Sequence, residues 1–292
     1  MIEAKAPAAR LFVTSDPHGH LAQLEAGLSS AGLVNDHGDW CGGTARLYVL
    51  GDLVDRGPDG IGVIDLLMRL EVQAEEAQGQ VVVLLGNHEV LALGMHLFGT
   101  EDVEIGGRSR NFAVSWMRNG GVGSDQDRLT PQHVSWLRSL PAMALVGDYL
   151  LMHSDTLEYV EWGESVDEIN AGVAASLSTD DAHEWWDVFW RLTTRYVYNG
   201  EDGAFQAEGM LDRLGGSLLV HGHSIVGDLL DIESEKVDGP LLYADEQVLA
   251  VDGGIYDGGP CLVVELPVSD ESVMRKCPAE DPAKPLAAER EE

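Results

Sequence analysis

Aspartate, asparagine and histidine side chains recur in this sequence directly after short apolar runs. The runs lie at 11–15, 47–50, 81–85, 149–152 and 217–220. The polar residues that follow them, and that we take as candidate metal ligands, are Asp16, His18, Asp52, Asn87, His153 and His223. Oxygen and nitrogen ligands without thiolate suit Mn, Fe or Zn, and the imidazoles favour Mn²⁺ over Mg²⁺. Because the set exceeds what one metal with open positions needs, it predicts two divalent transition metals that share a bridging carboxylate.

The apolar runs themselves predict the elements that position these ligands. Continuous runs of this length suit strands that are buried on both faces, and further runs lie at 248–251 and 261–266. The segments 58–80 and 130–140 show helical spacing. The connections 19–46 and 58–80 are long enough for parallel crossovers. The predicted class is therefore α/β, with the polar residues gathered at the carboxyl edge of a sheet, where ligands bind.

The composition limits the partners of the chain. The formal net charge is −32, and the last 25 residues hold seven acidic and four basic side chains, so −29 belongs to residues 1–267. Such a charge disfavours nucleic acid and anionic lipid as partners, although it would equally serve solubility. No run approaches the ~20 apolar residues of a membrane helix, and the first residues lack the pattern expected of a secretory signal. The three cysteines are an odd number without CxxC spacing, which argues against a disulfide framework. We therefore expect the protein in the reducing cytoplasm.

Two stretches of the chain carry weak periodicity. Residues 99–127 are Gly-rich and polar, and we expect a surface excursion near the site. Residues 268–292 combine proline with many charges and predict a disordered tail. The remaining residues, 1–267, are predicted to form a single domain. The sequence leaves the oligomeric state open.

The motifs around the candidate ligands resemble, in order, the signature of the calcineurin-like metallophosphoesterases. They are Asp16-Pro-His18-Gly, Gly51-Asp52-Leu-Val-Asp55-Arg56-Gly57, Gly86-Asn87-His88-Glu89, a lone His153 and Gly222-His223. Five motifs in the right order are far more specific than any one of them. The Asp-Arg-Gly and Asn-His-Glu versions are similar to the phosphoprotein phosphatase branch, especially its bacterial members. The resemblance spans about residues 10–266 and implies a four-layer αββα sandwich, in which mixed β-sheets are flanked by helices.

The resemblance also implies a role for each matching residue. It implies that Asp16 and His18 hold one metal, that Asp52 bridges both, and that Asn87, His153 and His223 hold the other. His88 is implied to be the general acid that protonates the leaving oxygen, and Asp55 is implied to orient it. A carboxylate beside an imidazole favours the imidazolium form, which an acid requires.

Phosphate binding is implied for several cationic side chains. Arg56 would use its planar guanidinium, and a second arginine is Arg191 or Arg195, with Arg195 preferred. His221 stands where many eukaryotic members have arginine, so it either contacts phosphate or packs. One departure is Asp155, in a His-Ser-Asp sequence where His-Gly-Gly is common. Its carboxylate would repel an anionic substrate if it faced the site.

The sequence therefore predicts a metal-dependent phosphoric ester hydrolase that acts on a phosphorylated protein or a small phosphoester. The first hypothesis is a phosphomonoesterase of the serine/threonine protein phosphatase kind, with a metal-activated water and a histidine acid. The alternative is a hydrolase of dinucleoside polyphosphates such as diadenosine tetraphosphate. A non-catalytic scaffold is disfavoured by the intact ligand set. A nuclease is disfavoured because Ile225 occupies the second His position of Gly-His-x-His.

Overall fold

Two mixed β-sheets are built from the apolar runs of the sequence. The computed structural model describes residues 9–276. The strands are β1 (Leu11–Thr14), β2 (Arg46–Val49), β3 (Gln80–Val83), β4 (Val103–Ile105), β5 (Arg108–Arg110), β6 (Met143–Val146), β7 (Tyr149–Met152), β8 (Leu218–His221), β9 (Leu241–Tyr243), β10 (Val248–Ala250), β11 (Val264–Leu266) and β12 (Met274–Arg275). The helices are α1 (Leu21–Ser30), α2 (Gly60–Glu76), α3 (Asn87–Phe98), α4 (Phe112–Arg118), α5 (Gly123–Arg128), α6 (Pro131–Leu137), α7 (Val166–Ser176), α8 (Ala182–Thr193), α9 (Gly203–Leu214) and α10 (Val226–Leu230).

The central strands of each sheet run parallel. The first sheet has the order β11-β1-β2-β3 and the second the order β12-β9-β10-β8-β7-β6, while β4 and β5 form a separate hairpin. Strands β1, β2 and β3 pair in parallel, as do β7, β8 and β10. The predicted parallel crossovers are therefore confirmed. Parallel pairing brings the carboxyl ends of neighbouring strands to one edge of each sheet.

The central strands are apolar throughout because their two faces are buried in different places. In β1, Leu11 and Val13 belong to an apolar cluster shared by the two sheets, whereas Phe12 lies in the larger core beneath the helices. In β7, Leu151 belongs to the first cluster and Leu150 to the second. The two sheets thus pack face to face between helical layers, in agreement with the expected αββα sandwich.

Helices cover the outer faces of both sheets. Helix α2 packs on β3 and buries Ile61, Ile64 and Leu67 at helical spacing. Its first turn is capped by Asp59, whose side chain accepts a hydrogen bond from the Gly62 amide at 2.9 Å. Helix α7 packs on β6, and helix α9 packs on β8. Within the described part of the chain, no helix is both long and apolar enough to cross a bilayer.

Residues 268–276, the described part of the segment predicted as a disordered tail, contain regular structure. A short 3-10 helix at Asp270–Ser272 leads into β12, which pairs in parallel with β9. Arg275 anchors this strand through an ion pair with Glu246 at 2.7 Å. A strand of two residues is too short to show a period. It could not be recognised in a segment rich in proline and charged residues. Residues 277–292 lie outside the described part of the chain.

The Gly-rich excursion contains more regular structure than its weak periodicity predicted. Residues 99–127 include the β4–β5 hairpin, α4 and most of α5. The Asn111 side chain caps α4 by accepting from the Val114 amide at 2.9 Å. Phe112 and Trp116 on this helix are buried. Seven residues make fewer than two helical turns, too few to establish a period.

Candidate metal centre and active site

The carboxyl ends of strands from both sheets bring the predicted ligands together. All six are buried: Asp16, His18, Asp52, Asn87, His153 and His223. In one group, each residue offers a ligand atom within 4.8 Å of the others, and its members are Asp16, Asp52, His153 and His223. His18, Asp52 and His88 form a second group under the same limit. Asp52 belongs to both groups, so this buried His/Asp cluster suggests a dinuclear divalent metal site.

The side-chain oxygen of Asn87 lies among atoms that cannot donate a hydrogen bond to it. It is 3.2 Å from each Asp52 carboxylate oxygen, 3.0 Å from His153 Nε2 and 3.2 Å from His223 Nδ1. Turned over, the amide would present its NH₂ group to the same acceptors. With the oxygen inward, a divalent cation would satisfy these atoms, because carboxylate, amide and imidazole are suitable ligands for it. The donor set therefore fits a divalent metal.

Backbone carbonyls fix the tautomers of the three predicted ligand histidines. The pairs are His18 Nδ1 with Val54 O at 2.9 Å, His153 Nδ1 with Leu50 O at 2.8 Å, and His223 Nε2 with Thr193 O at 3.0 Å. A carbonyl only accepts, so the facing nitrogen carries the hydrogen and the other presents a lone pair. Burial, as the largest cause, lowers the pKa of all three histidines. The neutral form that can ligate a metal is thereby favoured.

The carboxylate of Asp52 lies at the centre of these groups. Its Oδ1 accepts from the His88 amide at 2.9 Å and lies 3.3 Å from His153 Nε2, while its Oδ2 is 3.6 Å from His18 Nε2. Burial alone would raise the pKa of Asp52, but the surrounding imidazoles, His153 first, hold it below its ordinary value. Asp52 therefore remains an anion that can serve two cations.

The backbone of the site is held in conformations that non-glycine residues rarely adopt. Left-handed φ angles occur at Asp16 (51°), His18 (40°), Asp52 (54°), Asp55 (67°), Arg56 (66°) and His223 (63°). Each costs roughly 1–3 kcal/mol and persists only where the surroundings fix it. Buried Glu89 does so by accepting from the amides of Asp52, Leu53 and Gly86 at 2.9, 2.7 and 2.8 Å. Gly86 must lack a side chain, because a Cβ there would meet Asp52.

His88 differs from the ligand histidines in its hydrogen-bond partner. Its Nδ1 lies 2.8 Å from Asp55 Oδ2, and both residues are buried. The Asp55 carboxylate only accepts, so Nδ1 carries a hydrogen and the ring is held in one orientation. The opposite nitrogen, Nε2, lies 3.1 Å from an Arg56 guanidinium nitrogen, which can only donate to it, and 4.0 Å from Asp52 Oδ2. Nε2 therefore faces the cluster.

Arg56 is held beside the cluster by Tyr256. The guanidinium carbon lies 4.0 Å from the centroid of the Tyr256 ring, an arrangement that favours the cation. One guanidinium nitrogen is 3.2 Å from His18 Nε2, and the Arg56 amide donates to Gly120 O at 2.8 Å. Burial raises the pKa of Tyr256 to about 12. No sequence pattern marks this tyrosine, because it lies in a Gly-rich segment without periodicity.

Asp252 adds another carboxylate to the site. It is buried and accepts from the Gly254 amide at 2.8 Å. Burial first, and Asp52 in addition, raise the pKa of Asp252 to about 7, although Arg56 opposes the shift. The pKa of Asp16 is raised well above its ordinary value by burial, then by Asp252 and Asp52. Crowded buried carboxylates need positive charge beside them, which again fits metal cations. In the sequence, Asp252 precedes two glycines after an apolar run, a pattern that is equally consistent with a turn at a strand end.

The structure distinguishes the two candidate phosphate-binding arginines. Arg191 is paired with Glu158 at 2.5 Å and with Asp187 at 2.7 Å, so its guanidinium is already engaged. We therefore remove Arg191 from the candidate site. After burial, the charge of Arg195 is the next cause that lowers the pKa of His223. Arg195 therefore stays the preferred candidate.

His221 does not supply a free nitrogen for phosphate. Its Nδ1 lies 2.7 Å from Gly222 O and its Nε2 lies 2.7 Å from the Tyr243 hydroxyl. The ring is fully buried, and burial lowers its pKa. Of the two alternatives for His221, the structure agrees with packing. It does not support a contact with phosphate.

Asp155 connects three loops of the site. It is fully buried, and its Oδ1 accepts from Ser224 Oγ at 2.5 Å while its Oδ2 accepts from the Tyr196 amide at 2.8 Å. The three residues belong to the loops after β7, β8 and α8, which also carry His153 and Arg195. Asp155, which stands where His-Gly-Gly is common in the family, therefore links these three loops through hydrogen bonds.

We expect Asp155→Ala to lower the free energy of unfolding by about 2–4 kcal/mol, because the buried Ser224 hydroxyl and the Tyr196 amide both lose a fully buried acceptor. Urea denaturation at a fixed metal concentration measures this loss. Asp187→Ala removes a half-exposed carboxylate from its ion pair with Arg191 and should cost less than about 1 kcal/mol. Similar costs for the two variants would contradict the linking role of Asp155.

The family of the chain follows from the span that matches. Residues 9–227 match the family model of the calcineurin-like phosphoesterases, and this span includes all six predicted ligands. The chain belongs to this family. The family predicted from the sequence motifs is confirmed.

Curated relatives of this calcineurin-like phosphoesterase include a phosphatase and a nucleotide hydrolase. Shewanella-like protein phosphatase 2 of Arabidopsis thaliana is 33% identical over 82 residues, 28% of this chain and 21% of that protein. The symmetrical bis(5'-nucleosyl)-tetraphosphatase of Aromatoleum aromaticum is 30% identical over 156 residues, 52% of this chain and 50% of that protein. The chain thus spans about a fifth of the first protein and half of the second. The Shewanella-like match agrees with the predicted phosphoprotein phosphatase branch.

Solved structures agree with the fold of this calcineurin-like phosphoesterase. A cold-active protein-tyrosine phosphatase of a psychrophilic Shewanella species superposes with a TM-score of 0.64 at 21% sequence identity. The superposition covers 88% of this chain and 75% of that one. At this identity the likeness concerns the fold, and it confirms the expected mixed α/β architecture.

Proposed function

We propose that this calcineurin-like phosphoesterase is a two-metal phosphatase that hydrolyses phosphomonoesters, of the kind represented by serine/threonine protein phosphatases. The observation that carries the proposal is the convergence of acceptor atoms around Asn87 and Asp52, with His88 beside them. Two divalent metals, when bound, would supply positive charge for the phosphoryl group and would lower the pKa of a water, which attacks the phosphorus after losing a proton. The name of the Arabidopsis relative supports the same class of substrate.

The chain's own residues would bind the phosphate and move one proton. Arg56, stacked on Tyr256, offers a planar guanidinium for phosphate oxygens, and Arg195 adds a second positive charge. His88 donates a proton from Nε2 to the leaving oxygen. Asp55 keeps the Nδ1 hydrogen bond and holds the ring in place. Proposed metal ligands are Asp16, His18, Asp52, Asn87, His153 and His223.

A second candidate function is hydrolysis of dinucleoside polyphosphates. It is favoured by the similarity to the Aromatoleum aromaticum tetraphosphatase over 52% of this chain. The same cluster would cleave a phosphoanhydride, whose leaving phosphate needs less help from an acid. A non-catalytic scaffold is disfavoured because the buried donor set is complete.

The proposal also includes the identity of the bound metals and the cellular location of the protein. The imidazole ligands favour Mn²⁺ over Mg²⁺, with Fe and Zn as alternatives. Cys41 and Cys261 are free thiols in the structure, which suits the cytoplasmic location predicted from the cysteine pattern. The absence of nucleic-acid and membrane partners stays a prediction from the net charge.

The metal requirement has a direct test. We expect elemental analysis of reconstituted protein to find two transition metals per chain, because Asp52 joins two ligand groups. A chelator should abolish activity, and Mn²⁺ should restore it more fully than Mg²⁺. A single metal, or none, would sink the two-metal proposal.

A substrate panel distinguishes the candidate functions in the Mn²⁺-loaded protein. It compares p-nitrophenyl phosphate, a phosphoserine peptide, diadenosine tetraphosphate and bis-p-nitrophenyl phosphate. Higher kcat/KM for the two monoesters supports the phosphatase, and higher kcat/KM for the dinucleotide supports the alternative. Preference for the diester would overturn both.

A further inference from the structure

The Asp55 carboxylate has a second partner that the motifs did not predict. Trp116 Nε1 donates to Asp55 Oδ1 at 2.7 Å, while Asp55 Oδ2 lies 2.8 Å from His88 Nδ1. All three side chains are buried. Indole, carboxylate and imidazole therefore form one continuous chain of hydrogen bonds, which runs from α4 of the excursion to the nitrogen facing the cluster.

The same segment also holds the backbone around Asp55. The next residue, Arg56, donates its amide hydrogen to Gly120 O at 2.8 Å. The position of Trp116 is itself confined, because a Cβ on Gly121 would meet the indole ring. Asp55 and Arg56 both have left-handed φ angles, so this turn needs contacts from outside to keep its shape. Residues 116–120 supply two of them.

We propose that Trp116 is a positioning residue for proton donation by His88, an inference that rests on the proposed phosphatase function. A carboxylate can rotate about its last side-chain bond. With Oδ1 anchored by the indole, Oδ2 stays in line with His88 Nδ1, and Nε2 keeps its direction. Without the anchor, Asp55 rotates and the imidazole loses its orientation. An indole N–H only donates and offers no lone pair to a metal, so the loss of Trp116 should alter proton donation and leave the metals bound.

The test is Trp116→Phe in the full chain, which keeps an aromatic ring in the core and removes the N–H donor. For the Mn²⁺-loaded protein, kcat and KM are measured with a phosphoserine peptide and with p-nitrophenyl phosphate. We expect kcat on the peptide to fall roughly tenfold, as for the loss of one hydrogen bond to a charged group. The fall should be smaller for p-nitrophenyl phosphate, whose leaving group departs without a proton. KM and metal content should stay unchanged.

The matched control is Trp136→Phe. Trp136 Nε1 donates to Glu71 Oε2 at 2.8 Å, so the variant loses the same type of bond elsewhere in the fold. It should change neither rate. Should Trp116→Phe fail to fold, benzothienylalanine at position 116 keeps the bicyclic shape and has sulfur in place of N–H.

A double-mutant cycle completes the experiment. Adding Trp116→Phe to His88→Asn should change the rate little further, because the indole acts through the imidazole. Additive losses, metal loss, or equal losses on both substrates would each overturn the positioning role. If the wild-type chain cleaves neither substrate, the proposed phosphatase function fails. If the wild type is active and Trp116→Phe is unimpaired, only the role of Trp116 fails.

Discussion

Asp52→Asn is expected to abolish turnover and to weaken both metals. Asp52 is common to the two ligand groups and is held as an anion by the imidazoles around it. The asparagine amide has the same size but only one neutral oxygen ligand. It therefore cannot provide the negative charge that two cations would share. We expect activity to fall by at least roughly 10³-fold, equivalent to about 4 kcal/mol of barrier. Steady-state kinetics, together with elemental analysis of the variant, measures both effects.

Asp125→Asn provides the matched control for this substitution. Asp125 is also a buried aspartate, but its carboxylate accepts from the Gly60 amide at 3.1 Å and belongs to neither ligand group. It should retain two metals and most of the activity. Comparable losses at the two positions would mean that any change to a buried carboxylate disables the protein and that the bridging assignment is unsupported.

His88→Asn is expected to retain both metals and to lose turnover. General acid catalysis typically contributes ~10²–10⁴-fold, or roughly 3–5 kcal/mol of barrier. The loss should be largest for a phosphoserine peptide, whose alkoxide is a poor leaving group, and smallest for p-nitrophenyl phosphate. Elemental analysis is decisive here, because His88 also lies in a group with His18 and Asp52. Loss of a metal would make His88 a ligand.

His133→Asn is the matched control for this imidazole. His133 also pairs with a carboxylate, that of Asp65 at 3.0 Å, but the pair lies on α6 and α2, outside the cluster. Its replacement should leave the dependence of rate on leaving group unchanged. An equal loss on good and poor leaving groups in His88→Asn would remove the proton-donor role even if both metals were retained.

The strands at the centre of the fold were predictable because both of their faces are apolar. The run at 149–152 coincides with β7, and the run at 11–15 exceeds β1 by one residue. Shorter or half-exposed strands gave no such signal: β6 includes Leu145, an exposed side chain, and β12 has two residues. The position of β12 also depends on a partner that is distant in sequence, β9.

The site was predictable where its chemistry lies in short motifs at strand ends. Residues that act through long-range contacts were not. Trp116 is 61 positions from the Asp55 carboxylate it binds, and no local pattern marks it. Tyr256 likewise reaches Arg56 only through the fold. The same limit explains the correction for Arg191, because its pairing with Glu158 spans 33 positions.

The carbonyl-locked histidines have a consequence for which ion the protein carries. Val54, Leu50 and Thr193 direct the ligand lone pairs inward by themselves, so the coordination shell exists before any ion arrives. A prebuilt shell of carboxylate, amide and imidazole discriminates weakly among first-row divalent ions of similar size, and intrinsic affinity then favours Zn²⁺ over Mn²⁺. We therefore expect the supply of each ion to decide which one is bound. Protein isolated from zinc-rich and manganese-rich cultures should differ in metal content while sharing one fold.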